Sequence, residues 1–207
     1  PDLMLYGGPA IEVKKFEGSG SEIQLNSSRP KDYLYSNDSK ITAACREAEI
    51  WNKKDMVYAI GQMDGTRLAR LWLIYGDCYF ADASTYTRVE KAVSHTMEAL
   101  DLELASTTEL ARVNRVDPRG ISNLRVRGMW LTQRPEIAFD YLNIGPVSTE
   151  SEIIVLLTTD KFSEMPEADI KTILDLQDQG VSVSDVEIEN PNNPARLLDA
   201  KLITYRG

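Results

Sequence analysis

Asp2, Glu12 and Lys14 place two carboxylates and an ammonium within the first fifteen residues, PDLMLYGGPAIEVKK. Hard divalent ions such as Mg²⁺ take oxygen ligands, commonly one or two carboxylates completed by water and a substrate phosphate. A cation so held polarises a phosphodiester and lowers the pKa of a bound water. A lysine alongside holds the attacking water or stabilises charge on the phosphate. The spacing Pro-Asp, nine residues, then Glu-x-Lys therefore makes Asp2 and Glu12 candidate metal ligands and Lys14 a candidate catalytic lysine.

These three residues must be positioned by a hairpin. Side chains on a strand alternate between faces, so Ile11 and Val13 share one face and Glu12 and Lys14 the other. A loop of Gly7, Gly8 and Pro9 pairs Tyr6 with Ala10, Leu3 with Val13 and Asp2 with Lys14. That register predicts a buried face of Leu3, Leu5, Ile11 and Val13, with Asp2, Glu12 and Lys14 converging on the other. A two-residue loop would send Asp2 to the apolar face, where an unpaired charge is unfavourable. On this segment alone, an ordinary hairpin with a solvated charged face is the simpler account.

Composition removes competing chemistries. The chain has 207 residues, 43% hydrophobic and 27% charged, which suits one sizeable globular domain. No apolar run reaches the ~20 residues of a membrane span, and no signal peptide is visible, so a cytoplasmic protein is expected. A strand at the first residue without an initiator Met reads as a fragment or trimmed chain. Cys45 and Cys78 lack any CxxC pattern and read as reduced buried thiols. The single histidine, His95, lies off the stripe Tyr86, Val89, Val93, Met97 and Leu100 of an amphipathic helix and reads as a solvated side chain. Histidine metal sites and zinc proteases are thus disfavoured. No P-loop or G-x-G-x-x-G is present.

Charge is segregated along the chain. The net charge of −9 is carried by residues 150–189, which hold eleven acids and two lysines. Residues 111–134 hold six arginines against Asp117 alone. Arginine suits bidentate contact with phosphate or a guanine edge, so Arg112, Arg115, Arg119, Arg125 and Arg127, with Asn114, are candidate DNA contacts. A solvated basic surface is the alternative reading of the same run. The cluster NSSRPK adds Ser27, Ser28, Arg29 and Lys31 as candidate phosphate contacts, although such a motif also serves as a plain turn.

The coarse pattern is an α/β domain. A helix is expected from about Ser39 to Asn52, buried along Ile41, Ala44, Cys45, Ala48 and Trp51. DMVYAIGQM and RLARLWLIYGDCYF read as strands around Asp64-Gly65. A helix then spans Ser84 to Asp101, followed by an arginine segment of loop and short strand. SEIIVLLTTD reads as a strand, Ser163 to Gln179 as a helix closed by Gly180, and VSVSDVEIE and AKLITY as strands around NPNNP.

Several segments in order, EVKK, LNSSRPK, ACREAEIW, LWLIYGDCY, RVNRVDPRGI and LRVRGMW, resemble type II restriction endonucleases of the NgoPII kind, within the PD-(D/E)xK nuclease superfamily. The similarity runs through most of residues 1–145. It implies a restriction-endonuclease-like mixed β-sheet flanked by helices, with Asp2 and Glu12 as metal ligands and Lys14 as the catalytic lysine. It further implies cleavage of double-stranded DNA at a GGCC-like site, and with the carboxylate chemistry and the two-fold symmetry of a palindrome the expectation is an Mg²⁺-dependent homodimer. Related nucleases carry a helical region ahead of the first strand, which this chain is expected to lack. The expected organisation is a nuclease core over 1–145 and an acidic α/β portion over 146–207 packed on the same domain. The alternatives are a repair or junction nuclease of the same superfamily, and a DNA-binding module without catalysis.

Overall fold

Period-two alternation builds the centre of the molecule. The computed structural model describes residues 1–26, 29–98, 110–147 and 151–207, with every side chain in them except those of Asn26, Met97, Glu98 and Asp178. The first half carries strands β1 (Leu3–Met4), β2 (Ala10–Glu17), β3 (Glu22–Asn26) and β4 (Tyr33–Tyr35), then helix α1 (Ala43–Glu47). Strands β5 (Lys53–Asp64) and β6 (Arg67–Tyr75) follow, with helices α2 (Gly76–Tyr79) and α3 (Ala83–Glu98). Short strands β7 (Ala111–Val113), β8 (Leu124–Val126) and β9 (Met129–Gln133) lead to helix α4 (Pro135–Ala138). The chain closes with β10 (Glu152–Thr158), α5 (Thr159–Glu164), α6 (Glu167–Asp175), β11 (Val181–Asn190) and β12 (Asn193–Arg206).

The main sheet is mixed and eight-stranded, in the order β1-β2-β5-β6-β10-β12-β11, with β4 paired to the start of β5. β2 runs parallel to β5 and β10 parallel to β6, while β5 and β6 form an antiparallel pair around Gly65-Thr66. Gly65 takes φ +58° there, which a Cβ would resist. One face of this sheet carries Ala10, Phe16, Met56, Tyr58, Ile60, Trp72, Ile74, Ile154, Leu156 and Leu202 in one core. Ile23, Leu25, Leu34, Ile41, Phe80 and Phe139 cover it. Each fully buried aliphatic side chain, such as Ile60 or Leu156, contributes ~1.5–3 kcal/mol. On the other face, Leu157 and Ile203 pack with Phe162 of α5, and Ile170 and Ile173 of α6 join them.

The helix ends depart from the sequence expectation for local reasons. α1 spans five residues, because Thr42 caps it with an extended backbone and its Oγ1 accepts from the Cys45 N–H at 3.2 Å. Before that cap, residues 36–41 are held in turns by Asp38, so Ala44 and Ala48 end up exposed rather than on a buried stripe. The stretch GDCY leaves the strand as α2. The expected helix 163–179 is instead two helices, α5 and α6, split at Met165-Pro166, whose ψ angles of 152° and 134° are extended. In α3, His95 is exposed as expected, but Val89 is 46% exposed rather than buried, and Leu100 and Asp101 lie outside the described residues. Cys78 is buried and Cys45 half-buried, and neither is in a disulfide. Among the described residues, no helix is long and apolar enough to cross a membrane.

Candidate active site

The hairpin that opens the chain is built differently from the simplest register. Leu3 pairs with Ile11 and Met4 with Ala10, so the loop is Leu5–Pro9 rather than Gly7–Pro9. Two contacts from outside hold it. The Lys54 ammonium donates to Leu5 O at 2.9 Å and Gly8 O at 2.6 Å. Glu49 accepts from the Gly7 N–H at 3.0 Å and pairs with the same Lys54. The shift of two residues keeps every side chain on its expected side of the strand. No sequence pattern singles out Lys54 or Glu49; their role follows from loop carbonyls that need a donor.

Burial of the two faces is the reverse of the expectation. Leu3 and Val13 are 53% and 48% exposed, and Leu5 is exposed as well. Glu12 and Lys14 instead share the core face with Ala10 and Phe16, which bracket them along the same strand and are buried. Position 10 and position 16 have the parity of 12 and 14, and they anchor that face against β5. The two charges therefore sit at the rim of the core, next to Tyr58 and Ile60, their partners on β5.

Lys14 Nζ donates to Glu12 Oε1 at 2.5 Å, with side-chain exposures of 23% and 19%. Asp2 does not face Lys14. Its N–H donates to Ile11 O and its Oδ2 accepts from the N–H of Val13, both at 2.8 Å, so this carboxylate is stapled to the residue between Glu12 and Lys14. Hard oxygens from Asp2 and Glu12 thus flank one short backbone stretch, which suits a cation that takes one or two carboxylates and completes its shell with water and phosphate. Among the described residues, no group of three or more His, Cys, Asp or Glu side chains forms a metal cluster.

Beside Glu12 lies the loop that follows β3. The hydroxyl of Tyr58 accepts from the Lys31 N–H at 2.9 Å and donates to Lys31 O at 3.2 Å, so residues 29–31 pass over the strand next to the Glu12–Lys14 pair. Burial raises the Tyr58 pKa strongly, keeping the phenol neutral for these two hydrogen bonds. Arg29 is half-buried, with its guanidinium on Pro30 O at 3.2 Å. Lys31 is buried, unlike the arginines expected at the phosphates. It is 4% exposed and ion-paired with Asp38 inside the loop, which gives its ammonium a partner within the fold. Burial lowers the Lys31 amine, and its hydrogen bond to Asp38 opposes that. Ser27 and Ser28 lie outside the described residues.

The arginines occupy a separate small hairpin. β7 and β8 pair antiparallel with Arg112 directly opposite Arg125, and Arg112, Arg115, Arg119, Arg125 and Arg127 are all exposed. Asn114 is half-buried, and Asn123 accepts from the Arg115 N–H at 3.1 Å, which gives that amide a structural task. Arg134, the sixth arginine of the run, is buried. It donates to Gly18 O at 2.8 Å, and its guanidinium lies 4.0 Å over the Phe16 ring. From Arg127 the chain enters β9, which pairs with β3 so that Met129 faces Asn26. The exit of the arginine hairpin and the entry to the Arg29 loop are therefore at the same end of one ribbon.

The model of the NgoPII restriction endonuclease family matches residues 1–189. The chain belongs to that family. It is 42% identical to the type II restriction enzyme NgoPII of Neisseria gonorrhoeae over 207 residues, covering 99% of this chain and 74% of that enzyme. No solved structure matches it. As a family member it is a site-specific DNA endonuclease of the type II restriction class. Enzymes of that class work on double-stranded DNA and generally use divalent metal ions.

Proposed function

We propose that Asp2 and Glu12 hold Mg²⁺ and that Lys14 assists hydrolysis of the phosphodiester, in a homodimer cutting a short palindromic site, GGCC by family resemblance. The observation that carries this reading is the Glu12–Lys14 pair, placed on the core face beside the Arg29 loop while Val13 on the other side of the same strand is 48% exposed. Charges on the solvated side of a hairpin would need no explanation; charges at the rim of a core do.

A divalent cation bound there would supply polarisation of the scissile phosphate and a water of lowered pKa. The chain's own residues do the rest. Asp2, held on Val13 N–H, and Glu12, held by Lys14, would supply the carboxylate oxygens for the cation. Lys14 carries a positive charge to the phosphate side and holds a water by donating to it. Arg29 and the arginines of the β7–β8 hairpin bind the sugar-phosphate backbone and set the register of the duplex.

Digestion of a plasmid of known sequence with Mg²⁺ tests this directly, the expected result being discrete bands cut at one short palindrome. Loss of an outer-shell partner already costs ~10–100-fold in metal affinity or activity, so Glu12→Gln, which removes a ligand, should exceed that loss. Binding of the site without metal should survive the substitution. A folded Glu12→Gln protein cutting at the parent rate would remove Glu12 from the mechanism.

A further inference from the structure

The arginine hairpin ends in a tip of unusual composition. Val116 is 53% exposed, Ile121 67% and Leu124 45%, all between or beside arginines. Scattered exposed aliphatic residues are ordinary, but these sit together on a tip whose backbone is held by a network of hydrogen bonds. The Asp117 carboxylate accepts from the N–H groups of Arg119 at 2.9 Å, Ile121 at 3.1 Å and Ser122 at 2.6 Å. Val116 N–H donates to Ser122 O at 2.9 Å and Gly120 N–H to Asp117 O at 2.8 Å. Gly120 takes φ +68°, and a Cβ there would meet the Arg115 stem, which packs over it. The tip conformation held by these bonds leaves Val116 and Ile121 exposed.

We propose that Ile121 is a wedge that enters the minor groove of the bound duplex and partly unstacks one base step, with Val116 and Leu124 as flanking apolar contacts. This rests on the assignment of the β7–β8 hairpin to DNA and goes beyond it. Charge complementarity selects the partner, because the exposed Arg112, Arg115, Arg119, Arg125 and Arg127 on the same hairpin suit a polyanion and disfavour an apolar protein groove. Minor-groove proteins use Arg to reach the backbone and insert Ile, Leu, Met, Phe or Pro between base steps, kinking the duplex by ~20–90°. Deformation of this kind generates sequence preference at positions that no hydrogen bond reads.

The experiment uses the full chain, a duplex carrying the site mapped by plasmid digestion, and no divalent metal. Fluorescent base analogues, 2-aminopurine or pyrrolocytosine, are placed one at a time in and beside the site, and the end-to-end distance is followed by energy transfer. The parent protein should raise the fluorescence of one analogue several-fold and shorten the duplex. Ile121→Ala should abolish both while leaving the salt slope of binding unchanged, because it removes no charge. Ile121→Met should retain both, and an unchanged melting temperature checks that the variants fold. A duplex bound and later cut on adding Mg²⁺, yet never unstacked, or unstacked equally by Ile121→Ala, overturns the wedge alone. A shift in oligomeric state with unstacking intact assigns the tip to a protein contact and also overturns it. A parent that neither binds nor cuts the duplex overturns the DNA assignment, and the wedge with it.

Discussion

Lys31 lies in a basic cluster, yet the folded chain uses it as a buried strut. Removing one partner of a buried ion pair costs ~3–5 kcal/mol, and Asp38 keeps some solvent access, which places Lys31→Ala near ~3 kcal/mol. For a domain of this size that lowers Tm by roughly 6–12 °C, measurable by calorimetry. A surface phosphate contact would instead leave Tm unchanged and reduce the salt slope of DNA binding by ~0.9. The same pair sets an acid limb. Burial pushes the Asp38 carboxyl up, but the hydrogen bonds from Lys31 and the Lys40 N–H outweigh it and hold the pKa below the ordinary value. The folded state therefore binds fewer protons than the unfolded one in the window below the ordinary Asp value of ~3.9. The stabilisation is present above that value and is lost as pH falls through the depressed folded pKa. Lys31→Ala should flatten this part of the acid denaturation curve.

At the scale of elements, two contacts transmit position to the site. Gly76 opens α2 where a Cβ would overlap the carbonyl oxygens of Lys31 and Asp32. Alanine favours a helix over glycine by ~1 kcal/mol, but overpacking against backbone costs ~1–3 kcal/mol and has no flexible side chain to yield. Gly76→Ala should therefore lower Tm and, by displacing the Arg29 loop, weaken DNA binding measured by anisotropy. Lys54 is the second. Lys54→Met removes the donor to Leu5 O and Gly8 O and leaves Glu49 without its cation partner, freeing the hairpin loop. A displacement of ~1 Å in a catalytic group costs ~10²-fold. Cleavage should fall by about that factor while DNA affinity stays near the parent value. Equal cleavage by Lys54→Met would mean that the loop does not position Asp2.

Across the whole molecule, the order of strands separates the charges. The acidic stretch 150–189 supplies β10 and β11 on either side of β12 at one side of the sheet, and the β1–β2 hairpin forms the opposite edge. A palindromic duplex has a two-fold axis, so two copies of the chain can present identical contacts to each half-site. Sedimentation at saturating protein should give two chains per duplex; one chain per duplex would refute the dimer. Arg125→Ala with Arg127→Ala should lower the salt slope by ~0.9 for each phosphate that is no longer neutralised, and an unchanged slope with unchanged affinity would place this hairpin away from DNA.

Strand parity and turn chemistry were legible from residue types alone, because alternation, glycine and proline act within a few bonds. That is why Glu12 and Lys14 were expected on one side of their strand, and why the central strands were readable from DMVYAIGQM and RLARLWLIY. Which side of β2 is buried could not be read locally. Leu3, Leu5 and Val13 look like core and Glu12 and Lys14 like surface until Ala10 and Phe16 dock on β5 and take the pair with them. The burial of Lys31 is illegible locally for the same reason, since it depends on Asp38 and Tyr58 packing around it. Asp117 lay in plain view as the one acid among arginines, but its task, three N–H groups held at once, exists only after the tip has folded. Side-chain direction is a local property of the backbone, whereas burial belongs to whatever packs against it, and only the tertiary structure decides that.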